Sequence, residues 1–88
     1  RVYMEKINLT TNEAIVLQQV SEDVEDSAWT LARQVGVSRH HILSIISHLQ
    51  QKGLVILEND IDGLWVRLTK RGRQLIRYIW PEAARASA

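Results

Sequence analysis

The sequence contains no cysteine, only one proline and no long apolar run. Without cysteine, no disulfide bond can brace the fold and no thiolate can bind a metal ion. No apolar stretch approaches the ~20 residues that a membrane span needs, and Arg1–Thr10 lacks the apolar segment of a secretory signal. These absences predict a cytoplasmic protein that depends on its hydrophobic core and does not act in a membrane.

Charge is unevenly distributed along the chain, although the net charge is only +1. The stretch before Ser27 is rich in Asp and Glu. Between Ser27 and Lys52 there are three cations and no anion, and Arg67–Arg77 adds five cations, again without an anion. A second half that is largely basic favours a negatively charged partner.

Capping residues and apolar spacing predict three helices in the first half of the chain. Thr10 and Glu13 form a capping-box pattern, Gly36 is suited to end a helix, and Ser38 is suited to begin the next. The expected segments are a helix from Thr10 to about Ser21, an acidic loop at Glu22–Asp26, and helices at about Ser27–Val35 and Arg39–Lys52.

The second half predicts a β-hairpin followed by one more helix. The expected segments are a strand at Leu54–Glu58, a turn at Asn59–Gly63, a strand at Leu64–Leu68, and a helix at about Lys70–Trp80 that Thr69 caps and Pro81 ends. A short hairpin is not stable alone in water, so it must pack on the helices. The fold class is therefore α+β, mostly α: a winged helix with a three-helix core, a two-stranded β wing and a C-terminal helix. We expect one domain over residues 1–88, with its core at about 9–80 and a frayed tail at 81–88.

Small and apolar residues around the turn between the second and third predicted helices favour a helix-turn-helix. Ala32 permits a close helix crossing, Gly36 permits a sharp turn, and Val37 covers the core between the helices. Ile42 and Ile45 follow at helical spacing and hold the third helix against the second. The alternative is an ordinary hairpin of two helices in a bundle.

The outward face of the third helix carries polar and imidazole groups and no carboxylate. Such groups can contact base edges without repelling phosphates, although the face could also be merely solvated. The candidate base-contacting or positioning residues are Ser38, Arg39, His40, His41, Ser44, Ser47 and His48. The candidate phosphate-contacting residues are Arg33, Lys52, Arg67, Lys70 and Arg71.

Leu9–Trp80 resembles a MarR-type winged-helix domain. The resemblance lies in "LARQVGVSRHHILSIISHLQQKGLV" followed by "GLWVRLTKRGRQLI". It implies a transcriptional regulator that binds double-stranded DNA, with the helix at 39–52 in the major groove and the wing over the adjacent backbone or minor groove. The acidic wing tip departs from the family, whose wing usually carries an arginine near its tip. Members also have long flanking helices, for which 88 residues leave little room, so we carry over no effector sensing.

Other chemistries have little support in the sequence. His41 and His48 would lie about 10 Å apart on one helix face, too far for one ion, so we expect no metal site. No nucleophile elbow, phosphate loop or catalytic carboxylate pair is present. We therefore expect neither an enzyme nor a cofactor.

The last predicted helix has more apolar residues than one core-facing stripe needs. Either all of them pack on the core, or they form a homodimer interface together with the Val2–Ile7 segment. The candidate interface residues are Leu75, Ile76, Tyr78, Ile79 and Trp80. Two functions remain open: a DNA-binding regulator, or a winged-helix protein–protein interaction module in a larger assembly, which the low net charge and the acidic wing would favour.

Overall fold

The computed structural model describes residues 8–79, which form four helices and a three-stranded antiparallel sheet. The predicted class, a helix-rich α+β winged helix, is confirmed. The strands lie in the order β1-β3-β2. In chain order the elements are α1 (Thr11–Asp23), β1 (Glu25–Ser27), α2 (Ala28–Val35), α3 (Arg39–Gln51), β2 (Val55–Asp60), β3 (Gly63–Leu68) and α4 (Lys70–Ile79).

Helices α1 and α3 begin, and α2 ends, where local signals predict. The capping box is present, because Thr10 Oγ1 accepts from the N–H of Glu13 at 3.1 Å and Glu13 Oε1 accepts from the N–H of Thr10 at 3.1 Å. The hydroxyls of Ser27 and Ser38 accept backbone N–H groups of the first turns of α2 and α3. Gly36 follows α2 in the left-handed conformation, with φ of 81°, which a glycine adopts without steric cost.

The segment Glu22–Asp26 is not the acidic loop that its composition predicts. Helix α1 continues through Asp23, and Glu25–Ser27 forms strand β1, which pairs with β3. Val24 joins the two elements at φ 71°, a strained value for a β-branched residue. The sheet therefore has a third strand in addition to the two of the wing. Acidic residues are poor strand formers, which is why the composition concealed β1.

The wing hairpin is longer and its turn tighter than predicted. Strand β2 continues to Asp60 and β3 already begins at Gly63, so only Ile61 and Asp62 form the turn. The Asp60 side chain accepts from the N–H of Asp62 at 2.8 Å and stabilises this turn. Trp80, the predicted tail at 81–88 and the Val2–Ile7 segment lie outside the described residues, and the predicted domain bounds stay a prediction.

One hydrophobic core joins the helices to the inner face of the sheet. The four residues predicted for the apolar stripe of α3, Ile42, Ile45, Ile46 and Leu49, are all buried in it. Its other members are Val16, Leu17, Val20, Ala28, Leu31, Ala32, Leu54, Val55, Val66, Leu75 and Ile76. With one side of α3 held in this core, its other side faces outward.

Helix α4 packs against the start of the wing through a glycine. A Cβ atom on Gly72 would lie 2.1 Å from the carbonyl oxygen of Leu54 and 3.0 Å from Leu68 Cδ2. Thr69 ties the same elements together, because its hydroxyl donates to the Gly53 carbonyl at 2.6 Å and accepts from the N–H of Gly72 at 2.9 Å. The wing and α4 therefore have a fixed relative position that only a glycine at 72 permits.

Candidate nucleic-acid interface

The outer face of α3 is an exposed surface without a carboxylate. His40, His41, Ser44 and Ser47 are all exposed, and α3 contains no Asp or Glu from end to end. The helix is held in place at its start by Ser38, whose hydroxyl accepts from the N–H of His41 at 3.0 Å. The structure thus brings these sequence-predicted contact residues together on one accessible side of the domain.

The C-terminal end of α3 differs from the prediction, because it is occupied by a contact with α1. Lys52 Nζ lies 2.7 Å from Glu13 Oε1 and also donates to the Asn8 carbonyl oxygen. His48 Nδ1 lies 3.6 Å from Glu13 Oε2. The ammonium group of Lys52, which the sequence predicts as a phosphate contact, already neutralises a buried carboxylate within the chain. His48 is exposed, but its ring lies near the same carboxylate.

Glu13 lies at the centre of this contact between α1 and α3, and its environment favours the charged form of its carboxyl group. Burial raises the pKa of Glu13, but hydrogen bonds from Lys52 and from the N–H of Thr10, with the nearby charges of Lys52 and His48, outweigh burial and lower the pKa below its ordinary value. The same carboxylate therefore completes the capping box of α1 and fastens the end of α3 to α1. The capping box was visible in the sequence, but the partner 39 residues away was not.

Arg39 is held at the start of α3 by an aromatic ring. Its guanidinium carbon lies 4.8 Å from the ring centroid of Trp29, within the range of a cation–π interaction. Trp29 stands near the beginning of α2 and is half-buried against the core. No local pattern in the sequence links Trp29 to Arg39, so this contact across the helix-turn-helix was missed.

Three of the other predicted phosphate-contacting residues, Arg33, Lys70 and Arg71, are exposed. Arg33 lies near the end of α2, and Lys70 and Arg71 lie in the first turn of α4. Arg71 runs past Gly53, with its Cδ in van der Waals range of a Cβ built there. None of the three forms an ion pair with another residue of the described range 8–79.

The wing offers less positive charge than its sequence suggests. Arg67 forms an ion pair with Glu58 on the neighbouring strand, and both side chains are exposed. At the tip, Asp60 and Asp62 flank the fully exposed Ile61. Arg67 can therefore contact a phosphate only by giving up its pairing with Glu58.

The candidate dimer residues on α4 divide into two groups. Leu75 and Ile76 are 1% and 6% exposed and belong to the core of the single chain, which for these two residues corresponds to the predicted alternative in which the last helix packs on the core. Tyr78 is 53% exposed and Ile79 also remains on the surface. Of the predicted interface residues within the described range, these two lie on the surface.

A buried carboxyl group on β1 was also missed in the sequence. Asp26 is 8% exposed, and its Oδ2 has no hydrogen-bond partner among the described residues. Burial and the neighbouring carboxyl group of Asp23 raise the pKa of Asp26 to about 7. Asp26 faces inward because it pairs with the buried Val66, and residues opposite one another in a sheet point to the same side.

Within residues 8–79, no three His, Asp or Glu side chains are grouped in a way that could hold a metal ion. No helix in the same range combines the length and hydropathy of a membrane span.

Solved structures of MarR-family winged-helix regulators are similar to this chain. AbsC, a MarR family transcriptional regulator from Streptomyces coelicolor, is 28% identical with a TM-score of 0.77, over 84% of this chain and 53% of that one. The PcaV transcriptional regulator from the same organism, in complex with its natural ligand, is 25% identical with a TM-score of 0.75, over 88% and 57%. A MarR family protein from Bacillus stearothermophilus is 18% identical with a TM-score of 0.77, over 97% and 61%.

These matches confirm the MarR-like winged-helix fold that the sequence motifs indicate. The chain spans between about half and three fifths of the length of the structures it matches. No protein-family profile and no curated protein matches the sequence.

Proposed function

We propose that this MarR-like winged helix is the DNA-binding part of a transcriptional regulator and that α3 is its major-groove recognition helix. The observation that carries the proposal is the exposed, carboxylate-free face of α3, held outward by a core on its opposite side. An α-helix fits the major groove, where hydroxyl and imidazole groups can bond to base edges. A carboxylate on this face would instead repel the phosphates.

Each group on this face has a distinct role in the proposal. Arg39 donates to a guanine edge or a phosphate near the start of α3, and His40, Ser44 and Ser47 contact base edges along the groove. Ser38 and the first turn of α3 approach the backbone, because a helix N-terminus favours a phosphate. His41 and His48 flank the groove-facing residues.

The phosphate contacts come mainly from the helices and not from the wing. Arg33, Lys70 and Arg71 are exposed and free of ion pairs within residues 8–79. Arg67 can join them, because an exposed ion pair such as that with Glu58 contributes only about 0.2–1 kcal/mol. The acidic tip does not enter the minor groove in this arrangement.

We also propose that the protein acts as a cytoplasmic homodimer on a two-fold symmetric site. Tyr78 and Ile79 would contribute to the interface near the end of α4, together with Trp80. Two copies of α3 would then lie about 34 Å apart and reach successive major grooves on one side of the duplex.

The test is a salt titration of affinity for a duplex that the chain itself selects from a random pool. Each phosphate contact adds about −0.9 to the slope of log affinity against log salt concentration. Lys70→Gln should reduce the steepness by about one per chain. The matched control is Lys52→Gln, which removes a cation already neutralised by Glu13 and should leave the slope of the folded protein unchanged.

A flat salt dependence, or failure to select any duplex, would contradict the proposal. In that case the alternative function would apply, and the exposed α3 face would bind a protein partner in a larger assembly. Equal loss of slope in both lysine variants would contradict the assignment of Lys52 to the α1 contact.

A further inference from the structure

We propose that Trp29 is a positioning residue for DNA recognition: its ring face holds the Arg39 guanidinium at the start of α3 in the orientation in which it meets the duplex. The inference rests on the proposed function and extends it to a residue on α2, outside the recognition helix. Its basis is the stacking of Arg39 on Trp29, with 4.8 Å from the guanidinium carbon to the ring centroid.

Arg39 needs such support because its position on the helix is unfavourable for a cation. It is the first residue of α3, and the positive end of the helix dipole repels a positive side chain there. No ion pair among residues 8–79 includes Arg39. The face of a tryptophan is the aromatic surface that attracts a guanidinium group most strongly, so Trp29 supplies the attraction that keeps Arg39 near the helix start.

The stacking leaves the recognition chemistry of Arg39 available. A guanidinium group is planar and its N–H groups point outward in the plane, so a ring against one face does not cover them. A stacked arginine has also lost much of its side-chain freedom before it meets DNA, which lowers the entropy cost of binding. Arg39 is exposed, so these donors can reach a phosphate or a guanine.

Trp29 is itself well anchored, which a positioning residue must be. Its ring is half-buried and packs against the core cluster, and its backbone N–H donates to the Ser27 hydroxyl at 3.2 Å. The contact joins the first helix of the helix-turn-helix to the second across the Gly36 turn. The orientation of Arg39 is therefore set by the core and not by α3 alone.

A double-mutant cycle on the selected duplex tests the inference, with thermal unfolding measured for every variant to verify folding. Trp29→Leu keeps an apolar side chain but removes the aromatic face, and it should weaken binding about two- to fivefold. In an Arg39→Ala background the same change should have no further effect. Trp29→Phe keeps a ring and should restore most of the lost affinity. Should Trp29→Leu fail to fold, the cycle is run with Trp29→Met, which keeps a long apolar side chain but has no aromatic face, and with Arg39→Gln, because Arg39 is exposed and its replacement spares the core.

A second readout follows the contact itself, without DNA. In the wild-type NMR spectrum the side-chain protons of Arg39 should be shifted upfield by the indole ring, and Trp29→Leu should abolish this shift. Equal losses from Trp29→Leu with and without Arg39, or an absent upfield shift, would overturn the inference while DNA binding remains. Failure of the wild-type chain to bind any duplex would overturn the proposed function, and the inference with it.

Discussion

Replacing Asp26 with asparagine should stabilise the protein, by an amount that depends on pH. The carboxyl group lies inward on β1 opposite Val66, and its Oδ2 has no hydrogen-bond partner among the described residues. Burial, together with the nearby Asp23 carboxyl group, raises the pKa of Asp26 to about 7 from an ordinary 3.8. Asparagine has nearly the same shape and never ionises, so the variant removes only the cost of the charge.

The sign and the size of this stability change follow from the linkage between protonation and folding. Between pH 3.8 and about 7 the folded chain keeps a proton on Asp26 that the unfolded chain releases, because the folded pKa is the higher one. Stability is therefore lost as pH rises through this window and stays at the lower level above it. The rise in the pKa of Asp26 from 3.8 to about 7 corresponds to a loss of folding stability of roughly 4 kcal/mol at most. Because β1 is a three-residue strand at the edge of the sheet, local relaxation should reduce this cost to about 2 kcal/mol.

Urea unfolding followed by circular dichroism, near pH 4 and near pH 8, measures the effect. Asp26→Asn should change the free energy of unfolding little near pH 4 and raise it by about 2 kcal/mol near pH 8. Asp23→Asn is the control: it removes the neighbouring carboxylate and should lower the folded-state pKa of Asp26, so the upper end of the pH window moves down while its lower end stays near 3.8. An equal gain at both pH values, or a loss of stability near pH 8, would refute this account of the buried carboxyl group.

Three further substitutions test other parts of the structure by the same unfolding assay. Lys52→Met should cost about 1–3 kcal/mol because it leaves the buried Glu13 without its partner, whereas Lys70→Met should change stability by less than about 0.5 kcal/mol. Gly72→Ala should cost about 3 kcal/mol or more, since the new Cβ would overlap the Leu54 carbonyl oxygen, and Gln74→Ala on the exposed side of α4 is its control. Val24→Gly should stabilise the chain by about 1 kcal/mol, because glycine adopts the φ of 71° without strain.

These three predictions have clear contrary outcomes. Equal effects of the Lys52 and Lys70 variants would show that the contact with Glu13 contributes nothing to stability. A tolerated Gly72→Ala would mean that α4 can move away from Leu54 without cost. If Val24→Gly destabilises the chain, the positive φ of Val24 is not a source of strain between α1 and β1.

Features that depend on neighbouring residues were predictable from the sequence. The caps at Thr10 and Ser38, the turn at Gly36 and the buried stripe of α3 all follow from patterns within a few residues. Helix capping and helical periodicity are local effects, so no tertiary information was needed. The exposed face of α3 was predictable as well, because it is the side of the helix opposite that buried stripe.

Features that depend on distant contacts were not predictable in this way. Strand β1 exists because β3 offers it a partner, and its acidic composition gave no sign of a strand. The pairing of Lys52 with Glu13 and the stacking of Arg39 on Trp29 both join different helices. Charge patterns along the sequence therefore gave no sign of the contacts that hold α3 in place.

The most direct test of the central claim is a map of backbone amide chemical shifts while the selected duplex is added. If α3 occupies the major groove, the largest changes should fall on His40, Ser44 and Ser47, with smaller ones in the first turn of α4. Changes confined to α1 and β1, with the α3 face unaffected, would contradict the account.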